Sequence, residues 1–170
     1  MTEQQIMEEL RAASRKHSEW AVLAPLLDDP RVGFHLAIMV EPFLSYLLNG
    51  QKTIESRFSK NAIAPYGKVT MGDLVLLKAG PVVGAFTVSS VDFVTLHGDS
   101  LARLRRDYAA AICAKEDEFW NVRANKRYAT LTGVSDVYKL PPVTVSKRDM
   151  RGWVVLRAAS LSSGDEQITL

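Results

Sequence analysis

Apolar residues recur at helical spacing from Thr2 to about His17, where Ile6, Met7, Leu10 and Ala13 form one stripe, Thr2 can cap and glutamates fill the first turn. This predicts an amphipathic helix. Trp20, Val22, Leu23, Leu26 and Leu27 follow, and the turn signal D-D-P-R then closes an N-terminal arm over 1–30 that is expected to pack on the main body. A short apolar run, His35 to Val40, ends at Glu41-Pro42, after which Phe43, Leu44, Leu47 and Leu48 predict a helix stopped by Asn49-Gly50. Alternation from Gln51 to Phe58 predicts a strand leaving that helix directly, and L-V-L-L-K and V-V-G-A-F-T-V-S-S-V predict two neighbouring strands. Leu101, Leu104, Tyr108, Ala111 and Ile112 form the buried stripe of a second long helix, capped by Asp99 or Ser100, with Arg103, Arg105 and Arg106 facing out. The segment K-E-D-E-F-W-N-V-R-A-N-K-R reads as a short helix or loop. Strands are expected at Tyr128 to Tyr138 and Gly152 to Arg157, joined through Pro141-Pro142 at an edge or loop, with a frayed tail over 159–170.

This order of elements predicts an α+β domain: a mixed sheet or small β-barrel with helices at its rim and an extra helical arm. Contiguous strands without regular helical crossovers argue against a doubly wound sheet. With 170 residues, 47% of them hydrophobic, the chain suits one domain with one core. A net charge of +2 and a pI near 8.7 leave nucleic-acid binding to be decided by where the charge lies. The lone Cys113 excludes an internal disulfide, no apolar run approaches the roughly 18 residues of a membrane span, and the acidic N-terminus lacks the pattern of a signal peptide. A cytoplasmic location is therefore expected. His17, His35 and His97 lack metal-ligand spacing with one another or with Cys113, so neither a metal site nor a cofactor is expected, and Cys113 reads as a small buried helix residue.

The chemistry concentrates in L-N-G-Q-K-T-I-E-S-R-F, residues 48–58, where Lys52, Glu55 and Arg57 crowd beside Leu47, Leu48, Ile54 and Phe58. On a strand, Glu55 and Arg57 share a face and can pair, whereas Lys52 falls on the other face with its ammonium able to reach a cleft. Two readings compete: a structural ion pair plus a solvated lysine, or a binding site. The run F-L-S-Y-L-L-N-G-Q-K-T-I-E-S-R resembles the signature of the ASCH superfamily, small domains of the PUA-like barrel class in which a helix ends in Gly-x-Lys-x-x-Glu-x-Arg. G-D-L-V-L-L-K, G-V-S-D-V-Y-K-L-P-P-V and G-W-V-V-L support the likeness, which spans about Gly33 to Arg157 and sets the domain at 33–158.

The resemblance implies a cleft for single-stranded RNA or a modified nucleotide, lined by Lys52, Glu55 and Arg57. The basic groups suit phosphate or base edges, and the glutamate can accept from a base amino group. Some members resemble amidohydrolases acting on N4-acylated cytidine through this lysine, a threonine three residues later and a distant glutamate. Here Glu55 stands where that threonine would be, Thr53 is a poor substitute, and Glu116 or Glu118 is the candidate for the distant carboxylate. Were the protein an enzyme, that amidohydrolase or a ribonuclease, Lys52 and Glu55 would be its catalytic pair. Independently of the resemblance, Phe119, Trp120 and Tyr128 interleave with Arg123, Lys126 and Arg127, a pattern that either stacks bases and neutralises phosphate or puts Trp120 and Tyr128 in the core with the charges solvated, and Lys147, Arg148 and Arg151 form a second basic group. The amphipathic arm is a candidate surface for a protein partner.

Overall fold

The computed structural model describes residues 2–146 and 151–160. In chain order the elements are α1 (Glu3–Lys16), a 3-10 turn (Trp20–Leu23), α2 (Ala24–Asp28), β1 (Phe34–Ile38), α3 (Phe43–Leu48) and β2 (Ile54–Ser59). They continue with β3 (Leu74–Lys78), β4 (Val82–Thr95), α4 (Ser100–Ile112), α5 (Asp117–Asn121), β5 (Tyr128–Val143) and β6 (Trp153–Arg157). The strands form one six-stranded mixed sheet in the order β2-β5-β4-β3-β1-β6, in which only the β1–β3 pairing is parallel.

Length bends this sheet. β4 and β5 pair over most of their 14 and 16 residues, with register shifts that curl them into half a barrel. Gly133 sits at one bend, where a Cβ would lie 2.3 Å from Ser90 Oγ and 2.5 Å from Ser89 Oγ, so a larger residue would require both hydroxyls to turn away. The curl brings the two sheet edges, β2 and β6, toward each other without a hydrogen-bonded ladder between them. A seam is left open there.

Alternation in the buried strands supplies both faces of the core. Leu74 and Leu76 of β3 join Phe34, Leu36, Val154 and Leu156 under the N-terminal arm, whereas Val75 and Leu77 turn to the concave side with Leu47, Phe86 and Trp153. The arm's stripe, Ile6, Met7, Leu10, Ala13, Trp20, Leu23 and Leu27, is buried against this chain's own sheet. Its end is held by Arg157, whose guanidinium donates to the carbonyls of Leu26, Leu27, Asp29 and Val32. A third cluster, with Leu104, Ile112, Trp120 and Leu131, seats α4 and α5 on β2 and β5.

Three expectations change. β2 begins at Ile54 rather than Gln51, because the three residues before it are tied into a corner. β5 runs straight through Pro141 and Pro142: beyond Gly133 it has lost β2 as a neighbour, so the missing N–H groups leave no ladder partner unmet, and Pro141 O accepts instead from Trp20 Nε1 of the arm at 2.8 Å. Cys113 is not inside a helix but is the C-cap of α4, left-handed at φ 64 and only half-buried. The expected frayed tail lies, apart from its first residues, outside the described residues. Among those described, no helix is long and apolar enough to cross a membrane.

Candidate nucleotide cleft

The corner between α3 and β2 sets the site. α3 stops at Asn49, Gly50 takes the left-handed φ of 87°, and Asn49 Oδ1 accepts the Gln51 N–H at 3.0 Å, turning the chain back. Lys52 N then donates to Tyr46 O, Thr53 N donates to Ala111 O, and Thr53 O accepts from Val134 N, so the backbone of the charged stretch is bonded to three elements before the strand starts.

Because Lys52 precedes the strand, it escapes the alternation expected of it. Its ammonium lies on the same side as Glu55, 3.6 Å from Oε2, and donates at 3.0 Å to Ile112 O, a carbonyl at the negative end of α4. The side chain is only 2% exposed. Burial pulls its pKa below the ordinary lysine value, and the Glu55 carboxylate opposes that fall.

Glu55 and Arg57 do share a face. Arg57 Nε donates to Glu55 Oε1 at 3.0 Å, Nη2 to Ile38 O at 2.8 Å and Nη1 to Gly152 O at 3.3 Å, with the guanidinium 5.4 Å from the centre of the Trp153 ring. One guanidinium thus reaches from the β2 edge to the ends of β1 and β6 and bridges the open seam. Glu55 is 5% exposed, and its second oxygen, Oε2, is buried with no hydrogen-bond donor. Glu55 lines a cleft of about 430 Å³, within the range of small-molecule sites.

Aromatic residues wall the cleft. Phe43, Phe58 and Phe119 line it, and Arg123 stacks 3.6 Å from the centre of the Phe119 ring while donating to Phe119 O at 2.8 Å. Burial lowers the Arg123 pKa and the nearby Arg57 lowers it further. Lys126 stands at the same cleft, so among the described residues Lys52, Arg57, Arg123 and Lys126 face it against the single carboxylate of Glu55.

The sequence-predicted set is thereby divided. Lys52, Glu55, Arg57, Arg123 and Lys126 converge. Trp120 does not: it is 4% exposed and donates through Nε1 to Ala114 O at 2.7 Å, a core side chain rather than a stacking platform. Its neighbour Phe119 takes the wall position. Arg127 is exposed at the start of β5 and does not line the cleft, whereas Lys147 and Arg148 lie outside the described residues. Arg151 pairs with Glu3 of the arm. Of the distant carboxylates, Glu116 lines a second hollow behind the Phe43–Phe119 pair, beside Cys113, and Glu118 lines neither. Among the described residues no group of three His, Cys, Asp or Glu side chains could hold a metal.

Sequence reasoning missed Phe43, taken only as a core helix residue, and a buried polar chain behind the site. Trp153 Nε1 donates to His35 Nδ1 at 3.1 Å and His35 Nε2 lies 2.8 Å from Asp73 Oδ2. Indole can only donate, so His35 Nδ1 is an acceptor and its proton sits on Nε2, facing Asp73. This chain fixes the Trp153 ring on which Arg57 rests.

No family model matches the sequence, and no curated protein matches it. Solved structures do. The ASCH protein of Zymomonas mobilis superposes with a TM-score of 0.58 at 13% identity, covering 76% of this chain and 90% of that one. A mutant of that protein superposes with a TM-score of 0.59 at 13% identity, covering 75% and 91%. The fold is of the ASCH type. At this identity the likeness concerns the α+β half-barrel, and the chemistry of the ASCH-type cleft here rests on the side chains just described.

Proposed function

We propose that this ASCH-type cleft binds single-stranded RNA or a nucleotide. The observation that carries the reading is a concave site with aromatic walls and, among the described residues, four cationic side chains against one carboxylate. A base can stack on the rings, and a phosphate needs the positive charge. The cations divide the labour. Arg57 spends its donors on Glu55, Ile38 and Gly152, so it holds the site together. Arg123 makes one hydrogen bond to Phe119 O and Lys126 is half-buried at the mouth, which leaves their remaining N–H groups for phosphate.

Titration with a short single-stranded RNA at two salt concentrations tests this. Binding should weaken steeply with salt, and Arg123→Ala or Lys126→Ala should each reduce affinity and flatten the log–log salt slope by roughly 0.7. Melting should be nearly unchanged in Lys126→Ala. Absence of salt-sensitive binding would count against the cleft as a nucleic-acid site.

One observation favours a second reading, an amidohydrolase of N4-acylcytidine or a ribonuclease using the same cleft. Burial lowers the Lys52 pKa beside a carboxylate, which is what acid/base work by a lysine requires. Glu116 and Glu118 lie away from the cleft, which weakens the amidohydrolase more than the ribonuclease. Acetate release from N4-acetylcytidine, or scission of RNA, that disappears in Lys52→Ala would establish it; no turnover of either would dismiss it.

A further inference from the structure

Resting on the nucleotide reading, we infer that the cleft selects cytosine or adenine over uracil, through an acceptor and a donor set side by side on Glu55 and Lys52. The two oxygens of the Glu55 carboxylate are unequal. Glu55 Oε1 is taken by Arg57 Nε at 3.0 Å, so the carboxyl group is held and cannot turn. Oε2 is buried and bonded to nothing, and Glu55 lines the cleft. Lys52 Nζ stands 3.6 Å away, too far for a hydrogen bond, and it spends one donor on Ile112 O. A buried acceptor left without a donor costs stability, and natural interiors leave few such groups. A ligand that donates there removes that cost.

What donates is fixed by base chemistry. Cytosine offers its N4 amino group beside the bare ring nitrogen N3, and adenine offers N6 beside N1, a donor next to an acceptor. Glu55 Oε2 beside Lys52 Nζ is the complementary order, an acceptor next to a donor. Uracil presents the reverse, a carbonyl oxygen beside an N–H, which sets its O4 against the carboxylate lone pair and its N3–H against an ammonium. Such an approach leaves both protein groups unpaired and adds like-sign repulsion. Guanine carries the same reversed order at O6 and N1. Phosphate alone gains nothing from Glu55, so the carboxylate opposes a ligand that brings only negative charge.

The substitution Glu55→Gln converts this order. With Arg57 still taking the side-chain oxygen, the amide nitrogen takes the place of Oε2, and a donor replaces the acceptor. Preference should then move toward uracil, whose O4 accepts.

Calorimetric titration of the full chain with the 5′-monophosphates of cytidine, adenosine and uridine is the test, together with the monophosphate of the cytidine analogue that lacks the amino group. Cytidine or adenosine monophosphate should bind at least about tenfold more tightly than uridine monophosphate, the low end expected for discrimination by paired hydrogen bonds. Loss of the amino group should forfeit most of that advantage, a comparison that needs no protein variant. In Glu55→Gln the uridine nucleotide should equal or exceed the cytidine one. Equal, salt-sensitive binding of all four nucleotides to the unaltered protein would overturn the selectivity while leaving the nucleotide reading in place. Binding of none, and of no single-stranded RNA, would overturn both.

Discussion

Asp73→Ala is expected to cost about 4 kcal/mol or more of folding stability, because one carboxylate ends four buried or half-buried donors at once. Asp73 accepts from Gly33 N at 3.1 Å, Thr70 N at 3.0 Å and Thr70 Oγ1 at 3.0 Å, and it faces the proton of His35 Nε2 at 2.8 Å. His35 is fully buried, so its N–H would find no water in place of the carboxylate. At roughly 2–4 °C per kcal/mol for a chain of this size, the midpoint should fall by about 10 °C, read by thermal or urea unfolding. A change below about 1 kcal/mol would mean that the network is not a main support of the β1, β3 and β6 junction.

The same carboxylate sets an acid limb. Burial by itself would raise the Asp73 pKa, but hydrogen bonds from His35 and from the Thr70 N–H outweigh it and hold the group below its ordinary value. A folded pKa lower than the unfolded one means that the unfolded chain binds the proton more readily. The contribution is therefore fully present above about pH 4, near the unfolded value, and fades as pH drops through the folded value. Asp73→Asn should lose this part of the acid dependence along with much of the stability.

Arg57→Ala is the second large effect. It removes two bonds that span the seam and the one to Glu55, and leaves that buried carboxylate facing only Lys52 at 3.6 Å. Breaking a buried pair costs about 3–5 kcal/mol, and the partial exposure of Arg57 places this one near the lower figure. Arg57→Lys should rescue little, since an ammonium cannot reach Glu55, Ile38 and Gly152 together as the planar fork does. The double variant Arg57→Ala with Glu55→Ala should be more stable than Arg57→Ala alone, because no uncompensated charge remains. Additive losses in urea unfolding would contradict the pairing.

The strands at 74–78 and 153–157 announce themselves as short apolar runs, and the arm's stripe carries the 3.6 period through Leu10 and Ala13, so local pattern sufficed for them. Period-two alternation alone pairs Glu55 with Arg57. The same alternation sets Lys52 on the wrong side, because its direction is fixed by the bonds of the corner, to Tyr46, Ala111 and Ile112, and two of those partners are about sixty residues away. Trp120 and Phe119 are adjacent on a helix of five residues, too short for its phase to show which ring faces the cleft. The His35–Asp73 contact depends on the parallel β1–β3 pairing, which brings His35 opposite Val75; no motif spaced along the chain encodes it. The proline-bearing end of β5 is a strand only because the sheet curls away from β2 there.

The measurement that bears most directly on the cleft is backbone amide chemical-shift mapping of the full chain with a short single-stranded RNA. The largest shifts should fall on the end of β1 at 38–40, on 52–58 and on 119–126, the segments that surround Glu55 and Arg123. Shifts centred instead on the Arg103 and Arg106 face of α4, or no shifts at all, would contradict the account.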